Sequence, residues 1–288
     1  MATVTAPAGP TQRRGFARFA RRNPTIVVGG VLLGFMALVA LFAPWIAGDP
    51  LAITPANRLQ APSAEHWFGT DHLGRDIFAR TVYGTRISLL VGLSVAVVAV
   101  GMGLVIGLLA GYYRKLDSAI MRVMDGLMAI PAILLAIALV ALTKAGIGIV
   151  IVAIMIPEVP RVVRLVRSVV LSAREQPYVE AGVAAASSGL KILVRHILPN
   201  TVAPLIVQAT YICASAILVE SALSFLGAGV PPEIPTWGNM IASSRLYLPI
   251  APWTVLVPGV SLALVVLAIN LMGDGLRDRL DPRLARRM

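Results

Sequence analysis

The sequence predicts an all-α integral membrane protein with six transmembrane helices. Three observations predict it. First, 57% of the 288 residues are hydrophobic and only 14% are charged, with a mean hydropathy of +0.82. Soluble domains carry about 25% charged residues. Second, the runs 23–48, 87–113 and 246–273 contain no charge over 26, 27 and 28 residues. A spanning helix needs about 20 apolar residues. Third, six crossings divide the 25 Lys and Arg residues as 19 on one side and 6 on the other. The positive-inside rule makes the richer side cytoplasmic and places both termini there.

The net charge of +11 does not point to nucleic acid. Aromatic and basic residues do not interleave on one segment, as a nucleic-acid platform requires. The positive-inside bias accounts for the charge. Cys213, the one cysteine, sits in an apolar run and reads as a small core residue. Asp71, His72 and Asp76 are a poor metal set, because a single His among mixed carboxylates and arginines fits no common site. No metal and no catalytic residue is expected.

Residues 1–22 form a basic tail with Arg13, Arg14, Arg18, Arg21 and Arg22. The run 23–48 is too long for a signal-peptide core of about 7–15 residues and reads as the first span. Segment 49–86 is extracytoplasmic; Pro50, Pro55 and Pro62 precede a stretch that alternates charge with apolar residues, as an interfacial helix does. The second span, 87–113, is rich in glycine, which lets helices pack closely in lipid. A third span, 119–143, carries Pro131, and 144–146 is a tight turn. The fourth begins at Ile147 and continues as an amphipathic helix bent at Pro157 and Pro160. Arg161, Arg164 and Arg167 recur there at every third position, on a solvated face or facing lipid headgroups or the following loop. The fifth span is 201–219, with Glu220 at its far end near the interface. A loop over 221–248, the sixth span over 246–273 and a charged tail, 274–288, complete the chain. Trp45, Trp67, Trp237 and Trp253 all fall on the outer side as interfacial anchors.

The most informative stretch is 178–200, YVEAGVAAASSGLKILVRHILPN, on the cytoplasmic side. A loop that only reconnects two spans needs a handful of residues. This one holds helices of its own. Pro177 opens the first, where its missing N–H costs nothing, and Glu180 in the first turn suits the helix dipole. The small residues Ala181, Gly182, Ala184, Ala185 and Ala186 let another surface approach the backbone. Ser187-Ser188-Gly189 turns the chain, and a second helix over 190–198 ends at Pro199. This is the form of a docking knob.

These residues resemble the coupling-loop signature of ABC importer permeases: EAA, three residues, Gly, nine residues, then Ile-x-Leu-Pro. Leu198 and Pro199 fall at the expected spacing from Glu180. Gly182 replaces the second Ala, and Ala186 stands where the signature has Gly; Gly189 is expected to supply the turn glycine instead. FGTDHLGRDIFARTVYGTRISLLVG, RHILPN, ESALSFLGAGVPPEIPTWGNMI and GDGLRDRLDPRL are similar, in order, to blocks of the C-type subunit of dipeptide, oligopeptide and nickel importers.

The resemblance implies a type I ABC importer transmembrane fold in a bacterial inner membrane, with a five-helix permease core over 87–273 that includes the cytoplasmic coupling loop 172–200. It implies a homologous B-type permease subunit as partner, two ABC ATPases, an extracytoplasmic substrate-binding protein and membrane lipids, with no nucleic acid. It implies that Tyr178, Glu180, Ala181, Gly182, Ala185, Ala186 and Gly189 contact an ATPase groove, and that Leu198 and Pro199 complete the coupling element. The chain has no Walker A pattern. ATP and Mg are therefore expected on the partner ATPases, and no cofactor on this chain. Glu220 and Asn270 are polar groups at or within spans and so candidates for the pore or gate. The implied substrate is a dipeptide or short oligopeptide, with nickel complexes, glutathione or haem as alternatives. An ion-coupled carrier usually carries midplane ionisable residues and matched broken helices. A non-transporting membrane scaffold is the other competing class.

Overall fold

The computed structural model describes residues 23–143 and 146–280. Expectations for the 1–22 tail, for Lys144 and Ala145 in the turn, and for 281–288 fall outside the described residues. Among the described residues the chain is helical and forms no strand.

Helix α1, Pro24–Ile46, opens with Pro at its first position. It lies so close to the last helix that a Cβ on Gly29 would stand 2.7 Å from the carbonyl of Ala268. Beyond α1 the chain forms a compact cap over residues 47–76. The interfacial helix expected over 65–86 is absent before Ile77. The Asp71 carboxylate explains why: it accepts from the backbone N–H of Leu73 (2.8 Å) and Arg75 (3.0 Å), holding the chain in a turn. Gly69 (φ +75°) and Gly74 (φ +78°) occupy the left-handed region that the turns need. The helix starts only at Asp76, which caps it by accepting from Ala79 N–H at 2.8 Å.

Helix α2, Ile77–Tyr112, has 36 residues and begins ten residues before the charge-free run. At about 1.5 Å per residue it is about 54 Å long, well beyond the ~30 Å hydrocarbon core. The third span is not one rod. It splits into α3, Arg114–Met128, and α4, Ala132–Ala141, which meet at 83° around Pro131. Proline has no N–H to give and disfavours helical geometry in the residue before it. Helix α5, Ile147–Arg174, runs unbroken through Pro157 and Pro160.

The coupling stretch forms α6, Pro177–Ala184, and α7, Gly189–Ile192. Pro199 does not end the second helix. A π-helical turn, Leu193–Ile197, leads directly into α8, Leu198–Phe225. Leu198 N–H reaches back five residues to Leu193 O, and this wide turn accommodates a proline that cannot donate to the residue four before it. The expected 221–248 loop contains α9, Trp237–Ser244. The last helix, α10, Trp253–Leu280, starts later than the charge-free run and extends into the expected tail.

Among the described residues four helices are long and apolar enough to cross a membrane: α1, α2, the continuous Gly189–Phe225 and α10; the bent α3–α4 pair adds a fifth if its two arms form one span. The expected fourth span, α5, is not among them: its first eighteen residues already include Glu158, Arg161 and Arg164.

Two cores hold the bundle. The larger lies between α2, α5 and α8, around Val95, Ala99, Val150, Val163 and Ile212. The α2–α5 seam is set by Gly103, Gly107 and Gly111, one per helical turn, which face Val162, Val166 and Val170. A valine knob fills each gap that a missing side chain leaves, so the two backbones approach closely. The smaller core, at the cap end, gathers Ile77, Ile217, Met240 and Val265 around Trp237. Trp237 is fully buried and donates from Nε1 to Thr81 O at 3.2 Å, so it is a core residue rather than an interfacial anchor. Trp253 likewise packs inward, donating to Thr70 O at 3.4 Å, whereas Trp45 and Trp67 are exposed.

Candidate functional site

The coupling stretch stands at the end of the bundle opposite the cap. Gln176 is extended and precedes Pro177, and Val179 turns inward as the anchor of α6, at 3% exposure. Glu180, Ala181, Ala184, Ala185 and Ala186 are left exposed. Tyr178 packs beside the ring of His196, and its hydroxyl accepts from Asn200 Nδ2 at 3.3 Å, which ties α6 to the start of α8. Gly182 lies over Ile192, with room for ordinary contact. Leu198 is half-buried and Pro199 exposed in the first turn of α8. Val183, Leu190 and Val194 are exposed beside them at 61%, 69% and 51%. The apolar pair at 190 and 194, one helical turn apart, could have been read as part of the same surface.

The turn lies where the signature glycine belongs, not at Gly189. Ala186 has φ +55°. Ser187 N–H bonds to Gly182 O (3.1 Å) and Ala186 N–H to Val183 O (2.9 Å). This pair of bonds is the Schellman arrangement that closes a helix with a left-handed residue. Gly189 is helical and serves close packing, since a Cβ there would stand 3.1 Å from the Tyr112 ring.

Arg161, Arg164 and Arg167 of α5 each meet an acid, although the first two stay exposed. Arg161 meets Glu158 at 2.8 Å and Arg164 meets Asp125 at 2.6 Å. Arg167 grips Asp117 with two bonds, Nη2 to Oδ2 at 2.7 Å and Nε to Oδ1 at 2.5 Å. The amphipathic α3 is thus strapped to α5. Beyond the ladder, Arg174 Nη1 donates to Gly111 O at 3.0 Å and ties the end of α5 to the end of α2. A cleft of about 430 Å³ opens there, lined by Arg114, Asp117, Arg174, Glu175 and Glu180. It can receive a charged side chain from another protein.

At the cap end Glu220 is fully buried. It accepts from Ser224 Oγ at 2.7 Å, with the hydroxyls of Thr236 and Ser221 beside it. Thr236 caps α9 by accepting from Asn239 N–H at 3.2 Å. Asn239 Nδ2 in turn donates to Val230 O (2.9 Å) and Pro231 O (3.1 Å), pinning the preceding loop. Asn270 is not part of this cluster; it is exposed, well along α10. Asp71, His72 and Asp76 do not converge. Asp71 pairs with Arg75 at 2.7 Å, Asp76 with His66 at 3.1 Å, and the His72 ring stacks on Tyr247 at 5.3 Å. Burial lowers the His72 pKa below its usual value, opposed by Asp71 and assisted by Arg75, Arg58 and Arg80.

The family described as binding-protein-dependent transport system inner membrane component matches residues 103–286. That region holds the α5–α8 coupling element and most of the helices packed on it. The chain belongs to this family. It is therefore the membrane-embedded permease subunit of an ABC importer and a multi-pass inner-membrane protein. Residues 11–62 match the N-terminal TM domain of oligopeptide transport permease C, which makes the permease C-type. The permease is 59% identical over 290 residues to the probable peptide ABC transporter permease protein y4tQ of Sinorhizobium fredii, covering 100% of both chains. It is 48% identical over 266 residues to the dipeptide transport system permease protein DppC of Alkalihalophilus pseudofirmus, covering 92% of this chain and 88% of the relative. A chain of the inward-facing MetNI methionine ABC transporter superposes with TM-score 0.51 at 21% identity, over 67% of this permease and 94% of that chain. That likeness carries the type I importer fold alone.

Proposed function

We propose that this permease forms half of the translocation pore of an ATP-driven importer of dipeptides or short oligopeptides. The observation that carries the reading is α6: a small-sided helix, exposed on its outer face, with Glu180 in its first turn. It is joined to α5, and the glycine seam locks α5 to α2. A push on α6 is therefore delivered to the longest helices of the bundle. The other half of the pore is a homologous B-type permease. Two ATPase subunits, which bind ATP and Mg, dock on the two coupling elements from the cytoplasm, where the termini also lie. An extracytoplasmic binding protein delivers substrate at the cap end.

In this reading Glu180 meets a basic residue of the ATPase, and Tyr178, Ala181, Gly182, Ala185, Ala186, Gly189, Leu198 and Pro199 shape or support the docking surface. Glu220 locks the α8–α9 hairpin at the outer gate, and Asn270 faces the pore or the second permease. Such coupling requires two arrangements that both sites bias. The names of the relatives support a peptide substrate. The test is uptake of labelled dipeptide and tetrapeptide by proteoliposomes of the whole complex with its binding protein. Uptake that needs ATP and survives an uncoupler is expected. Uptake driven by an ion gradient, or retention of a metal chelate or haem in place of peptide by the binding protein, overturns the reading.

A further inference from the structure

We propose that the lateral groove between α1, α2, α8 and α10 is a phospholipid site, with the lipid phosphate on Arg86 and one acyl chain along the groove. The groove encloses about 920 Å³, and its walls include Leu33, Ala37, Leu93, Val97, Cys213 and Ile269. All four wall helices belong to segments apolar enough to span a membrane. The groove therefore lies at hydrocarbon depth and opens sideways.

Arg86 is the one charged residue among those lining it. Its side chain is exposed and has no ion pair or hydrogen bond among the described residues. Its depth follows from the sequence. Residues 87–113 carry no charge, and Arg86 and Arg114 bound them. At about 1.5 Å per residue this run is about 40 Å long, the thickness of the hydrocarbon core with its interfaces. Arg86 thus sits at headgroup level on the cap side. A guanidinium there needs an anion, and its fork of donors matches a phosphate. From Arg86 the groove runs along α2 to Gly101. That is about 22 Å, more than half of the ~30 Å core and enough for the chain of one leaflet. An acyl chain also restores the dispersion contacts that an empty apolar groove would lack.

The intact transporter is reconstituted in vesicles of phosphatidylethanolamine and phosphatidylglycerol that hold a trace of phospholipid with a photoactivatable acyl chain. Label is expected on peptides containing 33–41 and 87–101. Arg86→Gln should lower it about ten-fold, the scale of losing a charge-assisted bond. Arg86→Lys should retain most of it, and Ala37→Phe, which fills the groove, should remove it without lowering the unfolding temperature. Label from either headgroup supports the site. Equal label from a photoactivatable diacylglycerol, which has no phosphate, overturns the role of Arg86. Label unchanged by Arg86→Gln and Ala37→Phe overturns the site. So does a cross-link from Cys213 to the second permease in place of lipid, because the groove then seats a protein helix.

Discussion

Gly107 of α2 lies against Val166 of α5 at a separation that leaves no room for a side chain. A Cβ at position 107 would stand 2.7 Å from Val166 Cβ and 2.9 Å from Val163 O. Gly111 repeats the relationship with Val170, at 2.6 Å. The seam has no mobile atoms that could yield, so a larger residue must push the helices apart. Gly107→Leu should lower stability by about 1–3 kcal/mol, the usual range for overpacking. Thermal unfolding of the purified transporter checks this. An unchanged midpoint would show that the seam tolerates separation and that α2 and α5 do not move as one body.

Ala186 holds φ +55°, where a β-carbon is strained. The left-handed region costs a non-glycine residue roughly 1–2 kcal/mol. Glycine removes that strain but adds about 0.5–1 kcal/mol of chain entropy. Ala186→Gly should therefore stabilise the α6 closing turn by a few tenths to about 1 kcal/mol, and Ala186→Val should destabilise it. Amide exchange at Ser187, whose N–H closes the turn on Gly182, is the readout. Faster exchange in the glycine variant would contradict the assignment.

Glu180 is exposed in the first turn of α6 and lines the cleft beside Glu175 and Arg174. Glu180→Lys should leave the permease inserted and folded, because no described partner in this chain is lost. It should weaken recruitment of the ATPase and abolish transport. Co-purification of the ATPase with the variant at wild-type yield, together with normal uptake, would remove α6 from the docking surface.

Much of this fold is legible in the sequence. The charge-free runs predict α1, α2 and α10, because a helix that meets lipid needs apolar residues all round. The break in the third span was not legible as a direction: Pro131 marks a boundary, but hydropathy carries no angle. Helix α9 was missed because its eight residues are ordered by distant partners, Trp237 on Thr81 and Thr236 beside Glu220. Motif spacing puts the signature glycine at position 186, but alanine disfavours that backbone, so the sequence points to Gly189, and only the Schellman bonds show that the turn stays at Ala186. The arginine ladder was invisible for a similar reason, since the acids that pair with Arg164 and Arg167 lie 39 and 50 positions away.

The Arg167–Asp117 pair offers a test by exchange. Both side chains are partly exposed, at 31% and 24%, so the pair is expected to contribute about 1 kcal/mol or less despite its two bonds. Asp117→Arg alone sets like charges together and should loosen α3 from α5. The swap Asp117→Arg with Arg167→Asp should recover most of the loss. Disulfide trapping between cysteines placed on α3 and α5 reports the contact directly. A swap no better than either single change would mean that the two helices are held by apolar packing alone.

His72 gives a pH test with a definite sign. Burial lowers its folded-state pKa below the ordinary value of 6.5, with Asp71 opposing and Arg75, Arg58 and Arg80 assisting. Above about pH 6.5 the ring is neutral both folded and unfolded and adds no pH dependence. Below it the unfolded chain takes up the proton first. Stability conferred by the neutral ring is then lost as the pH falls toward the lowered folded value. The cap, where His72 stacks on Tyr247, should therefore melt earlier at pH 5.5 than at pH 7.5. His72→Phe keeps an aromatic ring on Tyr247 and removes the titration, so it should flatten part of that slope. His66, hydrogen-bonded to Asp76, remains in both proteins and cancels in the comparison. Equal slopes for the variant and the parent, read from thermal unfolding across that range, would mean that the half-buried ring of His72 does not govern how the cap responds to acid.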